Sequence, residues 1–133
     1  MSGPDLLFVY GTLRRGCSNE EARRLHAQAT WQGAGRARGR LFRLGWYPAL
    51  GVEPAGVASW VMGDVLRMAH PETTLAWLDD YEECGPRFPH PQEYRREVIC
   101  IELFDAEVCA WAYLYTMPVV GLEPIPSGDW LNR

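Results

Sequence analysis

Four carboxylates stand within five residues, Asp79, Asp80, Glu82 and Glu83. They follow an apolar helical pattern and so crowd the end of a helix, where the macrodipole is negative and cations are favoured. A charged, solvated helix end is the plain reading of such a cluster. The spacing argues for more. Glu82 lies seven residues after Leu75 and four after Leu78, so it extends the apolar stripe inward, whereas Asp79 and Asp80 lie off it. A partly buried carboxylate beside like charges and a helix C-terminus has a raised pKa. A general acid/base working near neutral pH needs that property.

The second candidate is "FVYGTLRRG", residues 8–16, where an apolar strand stops at Tyr10 and continues as Gly11-Thr12-Leu13. Such a loop exposes successive backbone N–H groups, and Gly11 lets a ligand approach the main chain closely. Donors of this kind hold a carboxylate or stabilise an oxyanion. A simple strand-to-helix turn would read the same way.

Other chemistries find less support. Gly33, Gly35 and Gly39 do not space as G-x-G-x-x-G, and no Walker motif is present. Arg36, Arg38 and Arg40 alternate along a strand and share one face, which in an acidic chain reads as a solvated surface. His26, His70 and His90 are far apart and lack ligand spacing. Cys100 and Cys109 fall inside predicted strands, where a buried, inert thiol is the default.

These residues need a scaffold. Residues 5–10 read as a strand, and "CSNEEARRLHAQA" as a helix with Ser18 as N-cap and Glu21 closing an S-x-x-E capping box. A strand follows from Arg36 to Leu44, and "WYPAL" turns the chain at Pro48. Residues 57–68 form a longer β-rich run, with Gly63 as a bulge or close-approach point. "HPETTLAWLDDYEE" is a second helix with Pro71 in its first turn. Residues 84–93 hold three prolines and form a loop. Strands at about 94–104 and 108–117 make a hairpin turning around Asp105-Ala106. Strands dominate and often succeed one another without a helix, so the expected fold class is α+β, a small mixed, partly closed sheet or barrel with helices outside.

The 133 residues suit one domain spanning 1–133. The apolar fraction of 47% and charged fraction of 23% are those of an ordinary globule. A net charge of -4 argues against nucleic acid as a partner. No apolar run is long enough to span a bilayer, and the N-terminus does not read as a leader, so a cytoplasmic location with no membrane partner is expected. All thirteen basic residues are arginine, which removes any lysine Schiff-base chemistry. Cys17, Cys84, Cys100 and Cys109 form no C-x-x-C pair and read as reduced thiols.

Seven blocks in order, "VYGTLR", "GRLFRLGWYPAL", "VMGDVLRM", "LDDYEE", "YRREVICI", "AWAYLY" and "SGDW", resemble the gamma-glutamylcyclotransferase superfamily, particularly its small bacterial and gamma-glutamylamine-type members. The resemblance implies a small mixed barrel with flanking helices and a cavity at one side. It implies cyclisation of a gamma-glutamyl group to 5-oxoproline with release of an amine or amino acid, using no metal and no cofactor. The family's L-D-x-x-E glutamate falls on Glu82, and its glutamyl-binding Y-G-x-L loop on Tyr10, Gly11, Thr12 and Leu13. Tyr113, Tyr115 and Trp130 are expected as wall residues by position. The family usually has glycine directly after the catalytic glutamate; this chain has Glu83. A non-catalytic binding module on the same fold is the alternative. It predicts an exposed Glu82, or one paired with Arg95 or Arg96, and a closed pocket.

Overall fold

The computed structural model describes residues 3–52 and 59–133. An apolar run without polar alternation belongs in a strand buried on both faces, and β1 (Leu6–Val9) is that strand. Phe8, with Tyr10 just beyond the strand, points into a barrel interior with Ala37, Leu41, Val61, Val65, Ile101 and Leu114. Leu7 and Val9 point the other way, under the helices, with Leu25, Leu66, Leu75 and Leu78.

β1 lies between β4 (Trp60–Met68), antiparallel to it, and β6 (Ala106–Tyr115), parallel to it. β6 pairs with β5 (Tyr94–Leu103), and β2 (Ala29–Leu44) joins β4 to β5 and closes a five-stranded barrel. The far half of β2 leaves the barrel and pairs with β3 (Tyr47–Val52). The short β7 (Glu123–Pro124) adds to the same extension. The α+β barrel expected from the sequence is therefore the fold.

Several boundaries differ from expectation, each for a local reason. β2 begins at Ala29, seven residues before the expected start, because its first half pairs with β4 through a bulge between Trp31 and Gly33. Pro48 does not turn the chain. It sits within β3 opposite Arg43, and the turn falls before it at Gly45-Trp46. Gly63 is a point of close approach, since a Cβ there would lie 2.5 Å from the Phe8 ring. Residues 57–58 of the expected strand lie outside the described residues.

Helix α1 (Glu20–Ala27) is capped by Asn19 rather than Ser18: the Asn19 side chain accepts the Ala22 N–H at 2.7 Å. Helix α2 (Pro71–Tyr81) begins with its proline and buries Thr74, Leu75 and Leu78. No helix among the described residues is long and apolar enough to cross a membrane.

Candidate active site

The end of α2 decides which of two adjacent glutamates faces inward. The Cys84 N–H reaches Asp79 O at 3.0 Å and the Glu83 N–H reaches Asp80 O at 3.2 Å, the paired bonds of a Schellman cap. That cap needs its second-to-last residue in the left-handed region, and Glu83 takes it with φ 55°. A glycine is the unstrained choice at that position. Glu82, the C-cap residue just after the helix, keeps right-handed geometry and donates its N–H to Leu78 O at 2.8 Å. Glu82 is half-buried and Glu83 is exposed.

Glu82 lines a cleft of about 330 Å³ with Tyr10, Gly11, Thr12, Leu13 and Tyr113. Burial, with the Asp79 charge adding to it, pushes the Glu82 carboxyl from 4.5 up to about 7. Among the described residues no cation pairs with it. Arg96 is committed to Asp79 through bonds of 2.8 and 3.1 Å, and Arg95 pairs with Glu97. Asp79 also accepts the Tyr113 hydroxyl at 2.7 Å. Asp79 thus stands beside Glu82 with Arg96 as its own counterion.

The loop across the cleft has its carbonyls tied down on the side away from it. Arg14 N–H donates to Gly11 O at 3.1 Å, Asn19 Nδ2 to Thr12 O at 2.6 Å, and His26 Nε2 to Leu13 O at 2.9 Å. In a trans peptide each N–H points opposite the preceding carbonyl. Tying the Thr12 carbonyl to Asn19, the N-cap of α1, therefore turns the Leu13 N–H away from that helix. The turn, cap and side-chain hydrogen bonds of the described residues use none of the N–H groups of Gly11, Thr12 or Leu13. Three of the cleft's tyrosines, by contrast, are already engaged: Tyr10 donates to Tyr113 O, Tyr94 to Pro48 O at 2.7 Å and Tyr113 to Asp79. Burial raises the pKa of Tyr10, Tyr94 and Tyr113, so these hydroxyls stay neutral. The backbone N–H groups of residues 11–13 remain as donors for a ligand.

Beneath the loop lies an ion network of residues that spacing alone does not single out. Arg14, 9% exposed, pairs with Asp64 at 3.2 Å and Asp129 at 2.7 Å. The second Asp64 bond, from Arg15 N–H at 2.9 Å, fixes the loop's exit. The three blocks "YGTLR", "GDV" and "SGDW" thus meet in one place, and their acidic and basic residues were the available signal.

Two expected wall residues lie elsewhere. Trp130 is 4% exposed in the barrel core beside Leu41 and Ile125, and its block serves the site through Asp129. Tyr115 stands opposite Tyr94, its ring edge-on at 5.8 Å, and supports that residue from behind without lining the cleft. Gly11, which lines the cleft, also has a packing reason to be glycine. Its Cβ would fall 2.2 Å from Pro48 Cγ, so the proline of β3 occupies the space a side chain would need. Spacing also did not single out Tyr47 and Pro48, which reach the cleft on the β3 extension.

A small α+β barrel with a side cleft, holding one unpaired half-buried carboxylate opposite main-chain donors, is the class of protein that the fold and site define. The chain belongs to the family described as gamma-glutamyl cyclotransferase, AIG2-like, whose sequence profile matches residues 7–132. A Vibrio cholerae chain provisionally named a gamma-glutamylcyclotransferase is 39% identical over 128 residues, 96% of each chain. The gamma-glutamylcyclotransferase family protein YtfP of Escherichia coli is 34% identical over 134 residues, again 96% of each. The solution structure of ytfP superposes with a TM-score of 0.65 at 32% identity, covering 96% of this chain and 97% of that one. The crystal structure of an AIG2-like protein from Mus musculus gives 0.71 at 25% identity, over 94% and 88%.

Proposed function

We propose that the chain cyclises a gamma-glutamyl group to 5-oxoproline and releases an amine, with Glu82 as the general acid/base. The observation that carries this reading is an unpaired carboxyl, raised to about 7, sharing one cleft with the free N–H groups of residues 11–13. The substrate's own α-amine is the nucleophile, tethered to the γ-carbonyl it attacks, so the cleft's main task is to fold the glutamyl chain into attack geometry. The new N–C bond closes a five-membered ring and the bond to the leaving nitrogen breaks. Glu82 takes the proton from the attacking amine and delivers it to the leaving nitrogen. The Thr12 and Leu13 N–H groups hold the substrate carboxylate or the developing oxyanion.

The cleft lining also bears on the leaving group. Tyr47, Phe88, Pro89, Pro91 and Tyr94 supply apolar walls, Glu83 and Glu93 stand among them, and no arginine or histidine lines it among the described residues. A leaving group with its own carboxylate would find no counter-charge. A neutral or cationic amine fits. The binding-module reading requires a paired or exposed Glu82 and a closed pocket; the partners of Arg95 and Arg96 and the open cleft weigh against it.

The test is 5-oxoproline release from a panel of gamma-glutamylamines, gamma-glutamyl dipeptides and glutathione. Turnover should be greatest with the amines and lost in Glu82→Gln, with the fold intact by circular dichroism. Full activity in that variant would remove Glu82 from the mechanism. No turnover of any compound would favour the binding module.

A further inference from the structure

Cys100 and Cys109, expected to be buried from their place inside strands, are both exposed and stand directly opposite each other across the β5–β6 hairpin. Their pairing class follows from the turn. Leu103 and Ala106 flank a two-residue turn, Phe104-Asp105, and so form the closing hydrogen-bonded pair. Pairs alternate from there: Glu102–Glu107 is non-hydrogen-bonded, Ile101–Val108 bonded, and Cys100–Cys109 non-hydrogen-bonded. In that class the Cα atoms lie about 4.5 Å apart with the side chains drawn together. Disulfides bridge Cα atoms roughly 4.4–6.8 Å apart, so the backbone need not move.

We propose that Cys100 and Cys109 are an accessible dithiol that closes to an intramolecular disulfide by exchange with a low-molecular-weight disulfide. One cysteine thiolate attacks a sulfur of the small disulfide, forming a mixed disulfide and expelling one small thiolate. The facing cysteine, as its thiolate, then attacks the protein-side sulfur and expels the second. Two protein thiols are oxidised, one small disulfide is reduced to two small thiols, and the two protons go to those thiols. Access is open on the Cys100 side, which lines a surface groove of about 520 Å³ near the hairpin tip. The other two cysteines are placed differently. Cys84 is buried, its thiol pushed up to about 12, and the Cys17 thiol is turned toward Gly11 O at 3.8 Å. Glu107, the largest influence on Cys100, holds its thiol pKa up, so the resting state is the thiol.

Hydroxyethyl disulfide is the suitable probe because it has no gamma-glutamyl group and does not resemble a substrate of the cleft. Treated protein should lose two hydrogens in intact mass without a retained adduct, and dithiothreitol should restore the starting mass. Trypsin cannot map the link, because no arginine or lysine falls between Arg96 and Arg133. Cleavage after acidic residues separates the cysteines at Glu102, Asp105 and Glu107 and should leave their peptides joined. Cys109→Ser should instead keep a stable adduct on Cys100. Stable adducts at both positions in the unsubstituted protein, a bond between molecules, or an unmodified pair would each overturn the proposal.

Discussion

Replacing Glu82 by glutamine should stabilise the protein at alkaline pH while removing its activity. In the folded chain burial and the Asp79 charge keep the carboxyl protonated up to about 7, whereas in the unfolded chain it ionises near 4.5. Below the lower value both states are neutral and the site costs nothing. Between the two the unfolded state releases its proton first, so stability falls as pH rises, and it levels off once the folded form also ionises. A rise from 4.5 to about 7, at about 1.4 kcal/mol per pH unit, sets a ceiling of about 3 kcal/mol on the loss. Glutamine keeps the shape and carries no charge to desolvate. Urea denaturation of both proteins at about pH 5 and about pH 8 isolates the effect, because other titrating groups cancel in the difference. The advantage of Glu82→Gln should grow by about 2–3 kcal/mol between those conditions, a midpoint shift of roughly 1–2 M urea for a chain of this size. A difference that stays constant to within about 0.5 kcal/mol would mean that Glu82 ionises as an ordinary surface carboxylate. The general-base assignment would then lose its physical basis.

Two further outcomes follow from the same geometry. The pH profile of kcat/KM should rise with a limb near 7, and Asp79→Asn should move that limb to lower pH. Because burial is the larger cause, the move should stop well short of 4.5; an unmoved limb would exclude Asp79 as an influence on the base. Gly11→Ala forces a methyl to within 2.2 Å of Pro48 Cγ, so it should destabilise the fold by about 1–3 kcal/mol and raise KM by displacing the loop. Unchanged urea midpoint and KM would mean that the loop does not depend on that contact.

Local patterns were a good guide where the interaction is itself local. The L-D-x-x-E helix phase put Glu82 inward, and both faces of β1 are buried as its unbroken apolar run demands. The hairpin at 94–115 could be read from two strands flanking a short turn. Boundaries slipped where a neighbour decides. Asn19 displaces Ser18 as cap because its amide also ties down Thr12 O, a contact no helix propensity contains.

Sequence by itself determined the element types, the family and the two halves of the cleft, because periodicity, capping residues and turn residues act over a few positions along the chain. Only the tertiary structure decided how the halves meet. Arg14 finds Asp64 and Asp129 across some fifty and more than one hundred residues, and Pro48 fills the space that makes Gly11 a glycine. The same holds for Tyr115 and Trp130, aromatic and strand-adjacent in sequence yet turned away from the cleft, and for Cys100 and Cys109, which hairpin register sets face to face in solvent. Burial and charge at a residue are sums over everything packed around it. Strand register and barrel closure fix those sums, and the order of residues along one strand does not contain them.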